Sequence, residues 1–147
     1  MATENRSAWT RIALGLARGR SLTPVQLQKT VFLLQELVPN LVRADQYQFK
    51  PYKYGPFTVE VYKDAEQLAD TGLATLAQDP SGYILYSASP KLVDAVEVTL
   101  GEAPNDIREF AERLASWTRE QSFLQLVRAV YERFPAYRVN SVLGPKQ

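Results

Sequence analysis

Tyr47–Tyr62 reads Y-Q-F-K-P-Y-K-Y-G-P-F-T-V-E-V-Y, and the fold turns on how this stretch is read. Tyr47, Phe49, Tyr52, Tyr54, Phe57 and Tyr62 are six of the 16 aromatic residues of the chain. Tyr47 and Phe49 alternate with Gln48 and Lys50, the period of a short half-buried strand. Pro51 is expected to disrupt that ladder, and Gly55-Pro56 to turn the chain into the next helix. So much aromatic area in one connector implies that it plugs a core or contacts a partner.

Upstream, Trp9, Ile12, Ala13 and Leu16 fall at i, i+3, i+4, i+7, the stripe of a helix that Ser7 is expected to cap and that runs to about Arg18. Thr23-Pro24-Val25-Gln26 is a capping box with proline at the first helical position. The helix it opens carries Leu27, Val31, Leu34 and Val38 inside, with Lys29, Gln35 and Glu36 expected to face water. Pro39-Asn40 stops it. Downstream, a third helix is expected over about Thr58–Thr71 with Val61, Ala65 and Leu68 buried and Gly72 at its end. Leu73–Gln78 and Tyr83–Ala88 flank Asp79-Pro80-Ser81-Gly82, a turn composition that makes them a β-hairpin. Helix, helix, short strand, helix, hairpin is the order of a winged-helix domain.

Three more helices complete the reading. Ser89-Pro90 caps the fourth, with Val93, Val96 and Leu100 inside and Gly101 ending it. Ile107, Phe110, Leu114 and Trp117 give the inner face of the fifth, and Glu109–Arg113 and Glu112–Arg108 pair on its surface. Ser122-x-x-Gln125 boxes the sixth, with Phe123, Val127, Val130 and Phe134 on one side. The fold class expected is mainly α (α+β): a winged-helix-like part over 1–88, with the helices of 89–147 packed on it as a C-terminal bundle. All 147 residues are expected to form one domain.

Composition narrows function. The chain has no cysteine and no histidine, so the usual general base, the commonest metal ligand and the thiol nucleophile are missing. No P-loop, GxSxG or dinucleotide glycine pattern occurs, and no carboxylate cluster has metal-ligand spacing. The expectation is a protein that is not an enzyme and needs no cofactor or metal. A carboxylate enzyme would require a pocket where two acids converge with split pKa values. No run of 18 apolar residues marks a membrane span, and the opening M-A-T-E-N-R-S lacks a hydrophobic signal region. A cytoplasmic location without membrane attachment is the corresponding expectation.

Net charge is +1, divided as +5 over 1–53, −7 over 54–106 and +3 over 107–147. The third helix carries Glu60, Asp64, Glu66 and Asp70 against Lys63 alone. That charge opposes insertion into the phosphate-lined major groove, where a winged-helix recognition helix would lie. Lys50, Tyr52, Lys53 and Tyr54 interleave cations with rings, which suits either a protein interface or a stacking platform for single strands. Their bland reading is core cover with solvated lysines.

Four segments stand in order: L-T-P-V-Q-L-Q-K-T-V-F-L-L (Leu22–Leu34), F-K-P-Y-K-Y-G-P-F-T-V-E-V-Y (Phe49–Tyr62), L-A-D-T-G-L (Leu68–Leu73) and L-V-R-A-V-Y-E-R-F-P-A-Y-R-V-N-S (Leu126–Ser141). Together they resemble a YwgA-like group of small bacterial and archaeal proteins and, more distantly, the Panacea domain. That resemblance implies an antitoxin-like module that acts by binding, with a toxin or phage-defence effector as partner, and it carries no catalytic residues. Tyr54, Gly55, Pro56 and Tyr62 match its most specific motif.

The functional expectation is therefore a non-enzymatic protein-interaction module. Its candidate partner-binding residues are Lys50, Tyr52, Lys53, Tyr54, Glu60, Asp64 and Asp70, the acids steering towards a basic partner. The alternative is a winged-helix DNA-binding regulator using Arg6, Arg11, Arg18, Lys50 and Lys53. A homodimer is compatible with either.

Overall fold

In the computed structural model, which describes residues 5–143, helix α1 (Ser7–Leu16) is buried over nearly its whole surface. Around it lie α2 (Pro24–Leu37), α3 (Val59–Asp70), α4 (Pro90–Gly101) and α5 (Asn105–Glu120), and α6 (Phe123–Arg133) packs on α2. Two antiparallel hairpins, β1 (Lys50–Tyr52) with β2 (Gly55–Phe57) and β3 (Ala74–Gln78) with β4 (Ile84–Ala88), and a 3₁₀ turn (Pro135–Arg138) are the other elements. The fold is mainly helical with a small β component, as the sequence predicts. No helix among the described residues is long and apolar enough to cross a membrane.

Local signals place most boundaries. Thr23 and Gln26 exchange reciprocal hydrogen bonds at the start of α2, and Ser122 and Gln125 do so at the start of α6. Thr58 and Ser89 accept from the first turns of α3 and α4. Asp79 accepts from the backbone N–H of Tyr83 across the expected turn. At the start of α1, by contrast, Arg6 is the capping position and makes no side-chain cap. Ser7 already lies in the helix, its N–H donating to Asn5 Oδ1.

Packing in the core depends on small residues at helix crossings. A Cβ built on Gly15 would lie 2.5 Å from Val96 Cβ, so glycine is what lets α1 and α4 touch backbone to side-chain root. On α5 the buried positions are Ala111, Ala115 and Thr118. The sequence reading put Phe110 and Trp117 there. Instead they are 39% and 37% exposed, because the helix turns its small residues inward where α2 approaches. The expected pairs within α5 do not form either: Glu112 reaches across to Arg18, which also binds Glu97. On α6, Phe123 points outward and Leu126 and Tyr131 join Val127 and Val130 inside.

The aromatic stretch corrects the reading most. Tyr47 and Phe49 are not in a strand; the strand begins at Lys50 and includes Pro51. Gly55-Pro56 does not lead straight into a helix but forms the returning strand, in register Lys50↔Phe57, Pro51↔Pro56, Tyr52↔Gly55. The prolines can face each other because neither has an N–H to lose. In a two-stranded antiparallel ribbon they occupy the non-hydrogen-bonded pair between two bonded ones. The tail then lies along this ribbon: Asn140 donates to the Pro51 carbonyl, and the Val142 N–H to that of Lys53.

What holds the irregular segment in place is a row of buried polar side chains on α2. Gln35 bonds both the N–H and the C=O of Tyr47, at 3.0 and 2.9 Å. Gln28 does the same for Thr58 at 3.2 and 2.8 Å, and the Lys29 ammonium donates to the Pro56 carbonyl at 3.0 Å. Each glutamine imitates a strand edge, so backbone outside any sheet remains satisfied. Lys29 and Gln35 are each 2% exposed, against the expectation that they face water. Glu36 is exposed as expected.

Candidate functional site

The turn Lys53-Tyr54 joins the two strands of the aromatic ribbon, and Gly55 supplies the positive φ (+99°) that closes it. A Cβ at Gly55 would also stand 3.3 Å from the Tyr131 ring and 3.6 Å from Lys29 Cε. Gly55→Ala is therefore expected to destabilise the protein by about 1–3 kcal/mol. A urea midpoint equal to that of the wild type would show that the turn does not need its left-handed geometry.

Beside this turn opens a cleft of about 720 Å³. Tyr52, Tyr54, Phe57, Tyr62, Tyr83 and Phe123 form its aromatic lining. The start of α2 (Thr23–Gln26), the start of α6 (Gln121–Phe123) and the turn of the second hairpin border it. The rings are ordered by contact with one another. Tyr52 stacks on Phe57 at 5.0 Å, Phe57 meets Tyr62 edge-on at 5.8 Å, and Tyr62 stacks on the buried Tyr86 at 5.8 Å. Tyr54 meets Phe123 edge-on at 5.0 Å. Tyr52 (47%), Tyr54 (39%), Phe123 (43%) and Tyr83 (63%) nevertheless remain exposed.

Lys29 is the buried member of the lining. Burial lowers its pKa from 10.5 to about 7. Among the described residues its ammonium has one hydrogen-bond partner, the Pro56 carbonyl, and no carboxylate pairs with it. The acid in the lining is Asp79, which is occupied in capping its own turn. The cleft thus brings together no pair of acids suited to general acid–base work. No group of His, Cys, Asp or Glu among the described residues is arranged to hold a metal ion.

The candidate residues divide between two places. Tyr52, Lys53 and Tyr54 line the cleft, and Lys50 is exposed on the same ribbon outside it. Lys53 lies over the Tyr52 ring, its Nζ 5.8 Å from the centroid. Glu60 and Asp64 belong to a separate network with Arg6, at 2.7 and 3.7 Å. Asp64 also accepts from the Tyr47 hydroxyl at 2.7 Å, which leaves the Thr10 hydroxyl to donate to Tyr47 at 2.6 Å. Burial first, and then the Asp64 carboxylate, keep the Tyr47 phenol un-ionised well above its ordinary pKa. Asp70 is exposed at the end of α3. Arg6 and Arg18, from the DNA alternative, are both engaged by acids, and Arg11 borders a small pocket of about 80 Å³ between α1 and α4.

Lys29, Tyr83 and Phe123 were not among the residues singled out from the sequence. For Lys29 a signal existed: Val25, Phe32 and Leu33 stand at i−4, i+3 and i+4 from it, so its face of α2 is apolar too. Nothing local marks Tyr83 or Phe123, which reach the cleft only through tertiary packing. Comparison with family models, curated proteins and solved structures returned no significant match.

Proposed function

We propose that this chain is a non-enzymatic protein-interaction module that engages its partner through the aromatic ribbon. The observation that carries this reading is the exposure of Tyr52, Tyr54, Tyr83 and Phe123 around one cleft. Large rigid rings left in water beside a lysine are typical of recognition surfaces. The partner is of the kind implied by the antitoxin-like resemblance, a toxin or defence effector bound without chemistry. Lys50 and Lys53 supply charge at its edge. Glu60 and Asp64 contribute less than a free acidic face would, since Arg6 already neutralises part of their charge.

The test is affinity capture from the native host's lysate with wild type and a Tyr52→Ala/Tyr54→Ala variant, with and without nuclease. A stoichiometric protein held by the wild type through nuclease treatment and lost by the variant supports the module. Equal capture by both would remove the ribbon from the proposal. Charge reversal at Asp64 is a poor probe, because it would break the buried Tyr47 hydrogen bond as well as any interface.

One observation favours the second reading, a winged-helix DNA-binding regulator. Leu22, between α1 and α2, pairs antiparallel with Tyr86 of β4 through bonds of 2.7 and 2.9 Å. This single-residue bridge lies where the first strand of a winged-helix sheet would pair with the later hairpin, with α3 as the third helix. The acidic surface of α3 weighs against groove insertion. Fluorescence anisotropy with labelled duplex at low salt decides it: steeply salt-dependent binding supports the regulator, and a flat titration eliminates it.

A further inference from the structure

We propose that the cleft binds a flat aromatic ligand bearing a carboxylate or phosphate, its ring held among Tyr52, Tyr54, Tyr83 and Phe123 and its anionic group meeting Lys29. The site goes beyond the partner reading, which requires the exposed rings but not Lys29. Its volume of about 720 Å³ lies in the range of small-molecule sites, and its walls are mainly apolar, with six aromatic rings among them. Rings at this density take another flat ring by stacking or edge contact.

The anion is called for by Lys29. It is 2% exposed, has a single hydrogen-bond acceptor for its three donors, and forms no ion pair among the described residues. A buried amine without a counter-charge is costly to keep protonated, and its lowered pKa reports that cost. A bound carboxylate or phosphate supplies both the missing charge and further acceptors. Two other features add positive potential on the same side. The first turns of α2 and α6 border the cleft, and Lys53 lies at its rim.

Calorimetric titration of the whole chain tests this with three anions, each beside its uncharged counterpart. Indole-3-acetate is compared with indole-3-acetamide, 1-naphthyl phosphate with 1-naphthol, and the peptide Gly-Gly-Phe with its C-terminal amide. At least one anion is expected to bind about tenfold or more tightly than its counterpart, as a charged hydrogen bond in a dry site provides. The pair that discriminates identifies the source as a free aryl acid, an aryl phosphate or a chain-terminal carboxylate. Lys29→Met is expected to abolish the preference. Lys29→Gln, which retains a donor for the Pro56 carbonyl but no charge, does the same if the methionine variant fails to fold. Tyr83→Ala should weaken anion and neutral compound alike and leave their ratio unchanged. Absence of any preference in the wild type, or a preference that survives loss of the Lys29 charge, overturns the proposal. Capture of a protein partner with no such preference would leave the partner reading standing and this one refuted.

Discussion

Denaturation measured from pH 6 upward is expected to show stability climbing from about pH 7 to about pH 10 and then falling. The climb comes from Lys29. In the unfolded chain its amine keeps a proton up to 10.5, whereas in the folded protein it releases it near 7. Between those values the unfolded state binds more protons, so raising the pH favours the native state. Below pH 7 both states are protonated and the full cost of burying the charge is present. At about 1.4 kcal/mol per pH unit, the gain reaches about 4 kcal/mol by pH 10. The fall above that has the opposite sign. Burial holds Tyr47, Tyr62, Tyr86 and Tyr137 un-ionised past the ordinary tyrosine value of 10.0, so only the unfolded chain loses those protons. Lys29→Met should remove the climb and keep the fall, with a pH-independent loss from leaving the Pro56 carbonyl without its donor. Urea titrations at pH 7, 8.5 and 10 check this. A wild-type profile flat between pH 7 and 10 would mean that Lys29 keeps an ordinary pKa in the fold.

Phe32→Ala is expected to be the most damaging single truncation, at about 4–5 kcal/mol. Phe32 is fully buried and meets Phe49, Phe134 and Tyr137 edge-to-face at 5.2, 4.9 and 5.0 Å. Its ring joins α2 to three separate parts of the chain: the approach to β1, the end of α6 and the 3₁₀ turn Pro135–Arg138. Truncation therefore leaves a cavity and releases the tail that lies along β1. Equilibrium unfolding measures the first effect, and amide hydrogen exchange over residues 135–143 the second. A loss below about 1.5 kcal/mol, with protection of the tail unchanged, would show that the tail is held independently of this ring.

The two experiments bear on function because both act on the mounting of the aromatic ribbon. The ribbon has two short strands and two opposed prolines, and alone it would be marginal. Its position comes from three sides: Gln28, Lys29 and Gln35 below, Phe32 through Phe49, and the tail along its edge. Tyr52 and Tyr54 are thus presented in water on a braced support, which lowers the entropy lost on binding.

The starts of α2, α3, α4 and α6 were set by the sequence alone, because caps and boxes are local chemistry. Thr23-Pro24-Val25-Gln26 and Ser122-x-x-Gln125 act within four residues and need no partner. The buried stripe Val61, Ala65, Leu68 and the Asp79–Gly82 turn were legible for the same reason. Tertiary structure alone decided the rest. Which side of α5 is inner depended on how closely α2 approaches, so Ala111 and Ala115 displaced Phe110 and Trp117. Lys29 and Gln35 are polar, and pattern alone assigns polar residues to water. They are buried because an irregular segment, distant in sequence, brings carbonyl and amide groups that only they can satisfy. The cleft follows from the same cause. Its rings come from the ribbon, α3, the second hairpin and the start of α6, and no period in the chain relates them.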